Sequence, residues 1–261
     1  MKIEANSIKL HVQEDGNPNG TPVVFANSLG TDLSLWDGVI PHLPQNLRFI
    51  RYDKRGHGQS EVPTPPYSMG ALVSDLEALL DTLQVRDAVV VGCSIGGMIA
   101  QGLAVKRLDQ VRAMVLSNTA CKIGTKDMWR ERIEAVEQGG IEALADATME
   151  RWFSRQFGTN SGPDRWRDLM TSQPKDGYLG CMAAISGTDF YTPTSGLTLP
   201  TLAIAGNEDG STPPDMVRET AELIRGSRFE LMRGVGHLPM VEKPEEYANL
   251  LTEFFSEVGH L

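Results

Sequence analysis

Cysteine is scarce. Cys93, Cys121 and Cys181 are an odd set at wide spacing, so the chain encodes neither a disulfide framework nor a cysteine-based zinc site. Apolar runs are short. The least charged stretch, 88–105, is broken by Gly92, Ser94, Gly96, Gly97 and Gln101. That leaves no run of about 20 apolar residues to span a bilayer. Met1-Lys2-Ile3-Glu4 has no apolar signal region. The expectation is a soluble, cytoplasmic chain in a reducing compartment, with the sequon Asn19-Gly20-Thr21 idle. Basic charge is in deficit: 24 Lys and Arg face 34 Asp and Glu, a formal net charge of −10. Such a field repels phosphates, so neither nucleic acid nor an anionic membrane is the expected partner. H-E-x-x-H, paired C-x-x-C, G-x-G-x-x-G and the phosphate-loop pattern are missing, so no metal and no organic cofactor is expected. Repeats and low-complexity segments are missing too. The pattern specifies nothing beyond a monomer or a small homo-oligomer.

What the chain does carry is a rhythm. Its 261 residues suit one large α/β domain or two small ones, and a chain of this mass buries about 73% of its surface on folding. Residues 2–14 read as one strand. Asn17-Pro18-Asn19-Gly20 is a turn signal, and Asn-Gly favours hairpins. Pro22-Val23-Val24-Phe25-Ala26 and Arg48-Phe49-Ile50-Arg51-Tyr52 read as buried strands, with a short helix over 32–43 between them. Apolar residues at 72, 76, 79, 80 and 83 keep helical spacing and predict a helix over 68–83. The alternation resumes with strand Ala88-Val89-Val90-Val91, a helix over 95–106, and strands Ala113-Met114-Val115-Leu116 and Thr201-Leu202-Ala203-Ile204-Ala205. A helix over 214–225, a strand over 228–232 and a helix over 244–257 follow. Short apolar strands between amphipathic helices predict an α/β fold with a mostly parallel central sheet flanked by helices.

Residues 122–190 break the rhythm. They hold no strand-like run and are rich in Trp, Met and Arg, including Trp129, Trp152, Trp166, Arg130, Arg132, Arg151 and Arg155. They read as helices inserted between two strands. The expected division is a core of 1–121 and 191–261 and a helical lid, or cap, over 122–190. The lid reading follows from apolar-aromatic surface that suits a small-molecule cleft; an ordinary helical subdomain is the plain alternative.

Gly92-Cys93-Ser94-Ile95-Gly96-Gly97 follows a Val-rich strand and opens a helix, the context that gives G-x-S-x-G its meaning. The glycines allow a sharp turn, and the serine sits where free helix N–H groups favour negative charge. A serine hydroxyl is a weak nucleophile and needs a base. His237, in a glycine-rich loop after strand 228–232, is the preferred base, because sites gather at the carboxyl edge of such sheets. His57 competes, but it precedes the serine and breaks the order Ser…Asp…His. The acid that fixes the base is Asp209 in Gly206-Asn207-Glu208-Asp209, with Glu208 as the alternative. The oxyanion needs donors. The backbone N–H of Ile95 is one, and the loop Asn27-Ser28-Leu29-Gly30 offers Leu29 as the other.

These segments, with Asp53-Lys54-Arg55-Gly56-His57-Gly58-Gln59-Ser60, together resemble the α/β-hydrolase superfamily over nearly the whole chain. The family usually carries His-Gly where Asn27-Ser28 stand here. The segment 53–60 resembles the family's structural turn, which implies a structural His57. Asn27-Ser28-Leu29-Gly30-Thr31-Asp32, Tyr52 to His57, and Ser117-Asn118-Thr119-Ala120 through Trp129 to Arg132-Ile133 are similar to the 3-oxoadipate enol-lactonases of bacterial aromatic catabolism. That resemblance implies hydrolysis of a small carboxylated lactone through an acyl-enzyme. A free carboxylate asks for an arginine. Arg132 is preferred over Arg130, Arg151 and Arg155, with Trp129 and Trp152 as apolar walls. Other hydrolases on the same scaffold remain open: a carboxylesterase, a ring-cleavage carbon–carbon hydrolase or a cofactor-free perhydrolase. A ligand receptor would carry a damaged triad.

Overall fold

Eight strands form one sheet in the order β1-β2-β4-β3-β5-β6-β7-β8: β1 (Lys2–Ala5), β2 (Ile8–Gly16), β3 (Pro22–Ala26), β4 (Arg48–Tyr52), β5 (Ala88–Cys93), β6 (Val111–Ser117), β7 (Thr201–Gly206) and β8 (Arg228–Met232). The computed structural model describes residues 1–159 and 162–261. β2 pairs antiparallel with β1 and β4, and every other pairing is parallel. β5 and β7 are buried along their whole length. Helices cover both faces of such strands, which therefore read as continuous apolar runs rather than alternating ones.

The helices are α1 (Met69–Thr82), α2 (Ile95–Lys106), α3 (Lys126–Gly139), α4 (Glu142–Trp152), α5 (Arg155–Gly158), α6 (Gly162–Thr171), α7 (Lys175–Ser186), α8 (Tyr191–Ser195), α9 (Pro214–Leu223), α10 (Pro239–Glu242) and α11 (Pro244–Glu257). Helices α3 to α7 fall between β6 and β7. None of the described helices is long and apolar enough to cross a membrane.

Two local expectations fail. Residues 2–14 are two strands rather than one. Asn6 and Ser7 take positive φ values of 50° and 63°, and the chain folds back with Ala5 opposite Ile8. The polar residues that turn the chain also fit a strand's alternation, so periodicity ran through them. The segment 32–43 is not a helix but two 3-10 turns, Leu33–Trp36 and Ile40–His42. Gly38 and Pro41 interrupt it, and proline supplies no backbone donor. Asn17–Gly20 does turn, with the Gly20 N–H on the Asn17 carbonyl at 2.9 Å. It makes no hairpin, because β2 pairs with β4 and not with β3.

The register aligns the loops that matter. Ala26 of β3 lies opposite Gly92 of β5, Cys93 opposite Ser117 of β6, Ser117 opposite Ile204 of β7, and Gly206 opposite Met232 of β8. Five strands thus release their loops at one edge. β3 also lies between β4 and β5, where chain order reverses, and such a switch point opens a crevice at the carboxyl ends.

Candidate active site

Ser94 stands between β5 and α2 with φ 56° and ψ −121°, a backbone region that costs a non-glycine residue about 1–3 kcal/mol. Its neighbours make the turn possible. A methyl group on Gly92 would overlap the Gly96 carbonyl, and one on Gly96 would overlap the Ala26 carbonyl. The Ser94 N–H bonds to the Ser117 carbonyl at 3.0 Å, and Thr119 Oγ1 donates to the Ser94 carbonyl at 2.6 Å. The bend is held on both sides.

Asp209 and His237 meet on the neighbouring loops. His237 Nδ1 lies 2.8 Å from Asp209 Oδ2, and both side chains are buried. The same oxygen accepts from Asn118 Nδ2 at 2.9 Å and Thr212 Oγ1 at 2.7 Å. The other oxygen accepts from the N–H groups of Ser211 and Thr212 at 2.7 and 3.1 Å. Burial alone raises the Asp209 pKa. The His237 charge and the bonds from His237, Asn118 and Thr212 outweigh it, and the carboxyl titrates below its usual range. Asp209 is therefore a fixed anion, and with Nδ1 engaged the His237 Nε2 is the free nitrogen. Ser94 and His237 line one cavity. Among the described residues, no hydrogen bond joins Ser94 to His237, and such pairs are often looser without a bound substrate.

The competing residues lie elsewhere. Glu208 accepts from the Arg155 N–H at 3.1 Å and pairs with its side chain. His57 is fully buried and accepts the Gly30 N–H on Nε2 at 3.0 Å. Burial, then the nearby Lys54 charge, holds the His57 pKa well below the usual histidine value. The ring is neutral and serves the loop after β3. Asp53 is structural as well, accepting from the Leu33 N–H, the Gln59 N–H and His11.

In the loop after β3, Asn27 is spent on structure. Its amide donates to the Tyr52 carbonyl and accepts Trp36 Nε1, each at 2.7 Å. The Gly30 N–H is taken by His57. Among the described residues, the N–H groups of Leu29 and Ile95 have no partner. Leu29 lines the cavity, and Ile95 is the first residue of α2. Ser28 Oγ is buried without a partner and lines the same cavity.

The cavity, about 210 Å³, is closed by the insertion, which contributes Trp129, Arg132, Arg151, Trp152 and Tyr178. Trp129 Nε1 donates to the Ile123 carbonyl at 2.7 Å, so its ring is a fixed wall. The Arg132 guanidinium sits 5.3 Å from the Trp129 ring centroid, and Arg151 donates to Thr148 Oγ1 at 3.0 Å. Neither arginine has an acidic partner among the described residues. Burial and then the adjacent Arg151 charge both depress the Arg132 pKa, yet a guanidinium stays charged. Two uncompensated cations therefore face one small space. Arg130 instead pairs with Asp127 on the surface, and Arg155 is exposed beside Glu208. The sequence missed Arg151 as the equal of Arg132, because only the fold shows which face of α4 turns inward. It also missed Asn118, whose positive φ of 48° at the end of β6 is the kind of backbone asparagine tolerates.

The end of α4 is tied to the loops that carry Asp209 and His237. The Gly210 N–H bonds to the Arg151 carbonyl at 3.0 Å, and the His237 N–H to the Trp152 carbonyl at 2.7 Å. The Trp152 ring stacks over His237 at 6.3 Å. Glu242 accepts the N–H of Ser154 at 3.2 Å and of Gly236 at 2.7 Å.

A family model described as alpha/beta hydrolase fold matches residues 21–244. Two 3-oxoadipate enol-lactonases of Acinetobacter baylyi are each 32% identical to this chain; the matches cover 95% of it and 94% of the first, and 94% of it and 92% of the second. The crystal structure of an enol-lactonase from Burkholderia xenovorans superposes with a TM-score of 0.94 at 33% identity, covering 98% of this chain and all 100% of that one. A thermophilic esterase from Thermogutta terrifontis, solved with malate bound, gives 0.92 at 26% identity over 100% of this chain and 99% of its own.

Proposed function

This chain belongs to the alpha/beta hydrolase fold family, and from that premise we propose that it is a serine hydrolase that opens a small enol-lactone bearing a free carboxylate, with 3-oxoadipate enol-lactone as the substrate. One observation carries the choice: Arg132 and Arg151, both without acidic partners among the described residues, share a cavity with Ser94 and His237. A bidentate guanidinium–carboxylate contact is the natural occupant of such a pair. The names of the two Acinetobacter relatives agree with it.

Ser94 Oγ attacks the lactone carbonyl while His237 Nε2 takes its proton. Asp209 stabilises the imidazolium. The N–H groups of Leu29 and Ile95 receive the oxyanion. The ring C–O bond breaks, and the departing enol oxygen takes the proton back from His237. An enol is a better leaving group than an alkoxide, and its conversion to the ketone makes ring closure unfavourable. Water then attacks the acyl-enzyme while His237 accepts its proton; that proton passes to Ser94 Oγ as the acyl–oxygen bond breaks, and the keto-diacid leaves. Helices α3 to α7 serve as the substrate-selecting lid.

The test is kcat/KM for 3-oxoadipate enol-lactone beside p-nitrophenyl acetate. The expected value is about 10⁵–10⁷ M⁻¹s⁻¹ for the lactone, with the acetate at least about a hundredfold poorer. Turnover of the acetate without the lactone removes the substrate and leaves a serine esterase.

A further inference from the structure

We propose that Lys54 is a positioning residue of the oxyanion hole, its buried ammonium fixing and polarising the Ser28–Leu29 peptide from behind. The proposal rests on the serine-hydrolase reading. Lys54 follows β4 and is only 2% exposed. Burying an ammonium is costly unless it is paired, yet Lys54 forms no ion pair among the described residues. Its Nζ donates instead to two carbonyls of one loop, Ser28 at 2.6 Å and Thr31 at 3.1 Å.

The Ser28 carbonyl and the Leu29 N–H belong to the same peptide unit. One end is gripped by a cation, and the other is the unpartnered donor proposed to receive the oxyanion. A charge on the carbonyl draws electron density through the peptide and strengthens its N–H as a donor, as in any polarised hydrogen-bond chain. The second bond, to Thr31, clamps the far side of the loop. His57 Nε2 holds the Gly30 N–H between them. Lys54 and His57, both of the turn after β4, thus hold the loop, and the Leu29 N–H has no partner among the described residues. A methionine would fill the same volume with neither effect.

The groups facing Lys54 are Cys181 of α7, Cys93 of β5, Asp53 beside it, Asp32 from the loop after β3, and His57. Burial outweighs the pull of Cys181, Asp53, Asp32 and Cys93 and lowers the lysine pKa to about 8. Above that pH the ammonium loses its charge and the loop its polarisation.

The experiment compares wild type and Lys54→Met with p-nitrophenyl acetate and the enol-lactone from about pH 6.5 to 9.5. Lys54→Met is expected to lower kcat about 10- to 100-fold for both substrates, less than the 10²–10³ of a deleted oxyanion donor, with KM within about twofold. The wild-type kcat falls above about pH 8, and the variant lacks that limb. Retention of kcat within about threefold, or a surviving limb, overturns the proposal. Where Lys54→Met does not fold, the wild-type profile decides: a flat kcat through about pH 9.5 overturns it, and a limb near pH 8 supports it. Wild type that turns over no ester and takes no serine-directed phosphonate shows instead that the hydrolase reading has failed, and the proposal falls with it.

Discussion

The edge of the sheet and the inserted helices treat charge in opposite ways. At the sheet edge Asp209 is saturated: His237, Asn118, Thr212 and two backbone N–H groups all point at it. In the insertion Arg132 and Arg151 face the same cavity, and neither forms an ion pair among the described residues. A saturated buried charge orients other groups and binds nothing further. A half-buried cation without an acidic partner is poised for an anionic ligand, which a guanidinium can hold through two hydrogen bonds. On the proposed function, the core holds the general chemistry and the insertion the choice of substrate.

That division can be broken region by region. The largest effect is expected from Ser94→Ala, which should cut kcat by about 10⁵–10⁶ for any ester with the melting temperature within a few degrees. Near-normal turnover would end the nucleophile assignment. Asp209→Asn should follow at about 10⁴, again for every substrate, because it disturbs His237 rather than recognition. A loss confined to the carboxylated lactone would place Asp209 in binding instead. Arg130→Ala and Arg155→Ala should change kcat/KM for the lactone by less than about twofold, since both side chains lie at the surface against acidic neighbours. A large effect from either would move the carboxylate site out of the cavity.

A smaller effect concerns stability. The native His57 ring resists protonation, while the unfolded ring titrates at its ordinary value of 6.5. Below about pH 6.5 the unfolded state binds a proton that the native state refuses, so stability falls as pH falls. The slope is at most about 1.4 kcal/mol per pH unit. Denaturant melts from pH 7 to 5 should show it, and His57→Gln should flatten it. An unchanged slope in the variant would assign the acid sensitivity elsewhere.

The two regions also differ in how far the sequence exposes them. Ser94 and Asp209 are picked out because each follows a short apolar strand, and His237 because it follows the strand over 228–232 in the chain order Ser…Asp…His. The elbow carries its own signature in Gly92 and Gly96, whose missing side chains match close backbone approaches. In the insertion the residue types are visible but their direction is not. The sequence prefers Arg132 among four arginines, and only the packing of α3 and α4 sets Arg151 beside it and leaves Arg130 and Arg155 at the surface. Lys54 and Ser28 were illegible for another reason. Their roles depend on two loops, after β3 and β4, that are brought together by the pairing of those strands. The hairpin at Asn6 and Ser7 escaped because a tight two-residue turn leaves strand alternation intact on both sides.

The central claim is that chemistry and choice are separable, and one measurement tests it most directly: kcat/KM of Arg132→Met/Arg151→Met for the enol-lactone and for p-nitrophenyl acetate. Each charge-assisted contact is worth about 1.5–3 kcal/mol, and every 1.4 kcal/mol is tenfold. The lactone value should therefore fall by about 10²–10⁴, mostly through KM, with the acetate within about threefold of wild type. Equal losses on both substrates would contradict the account, because the arginines would then belong to the chemistry.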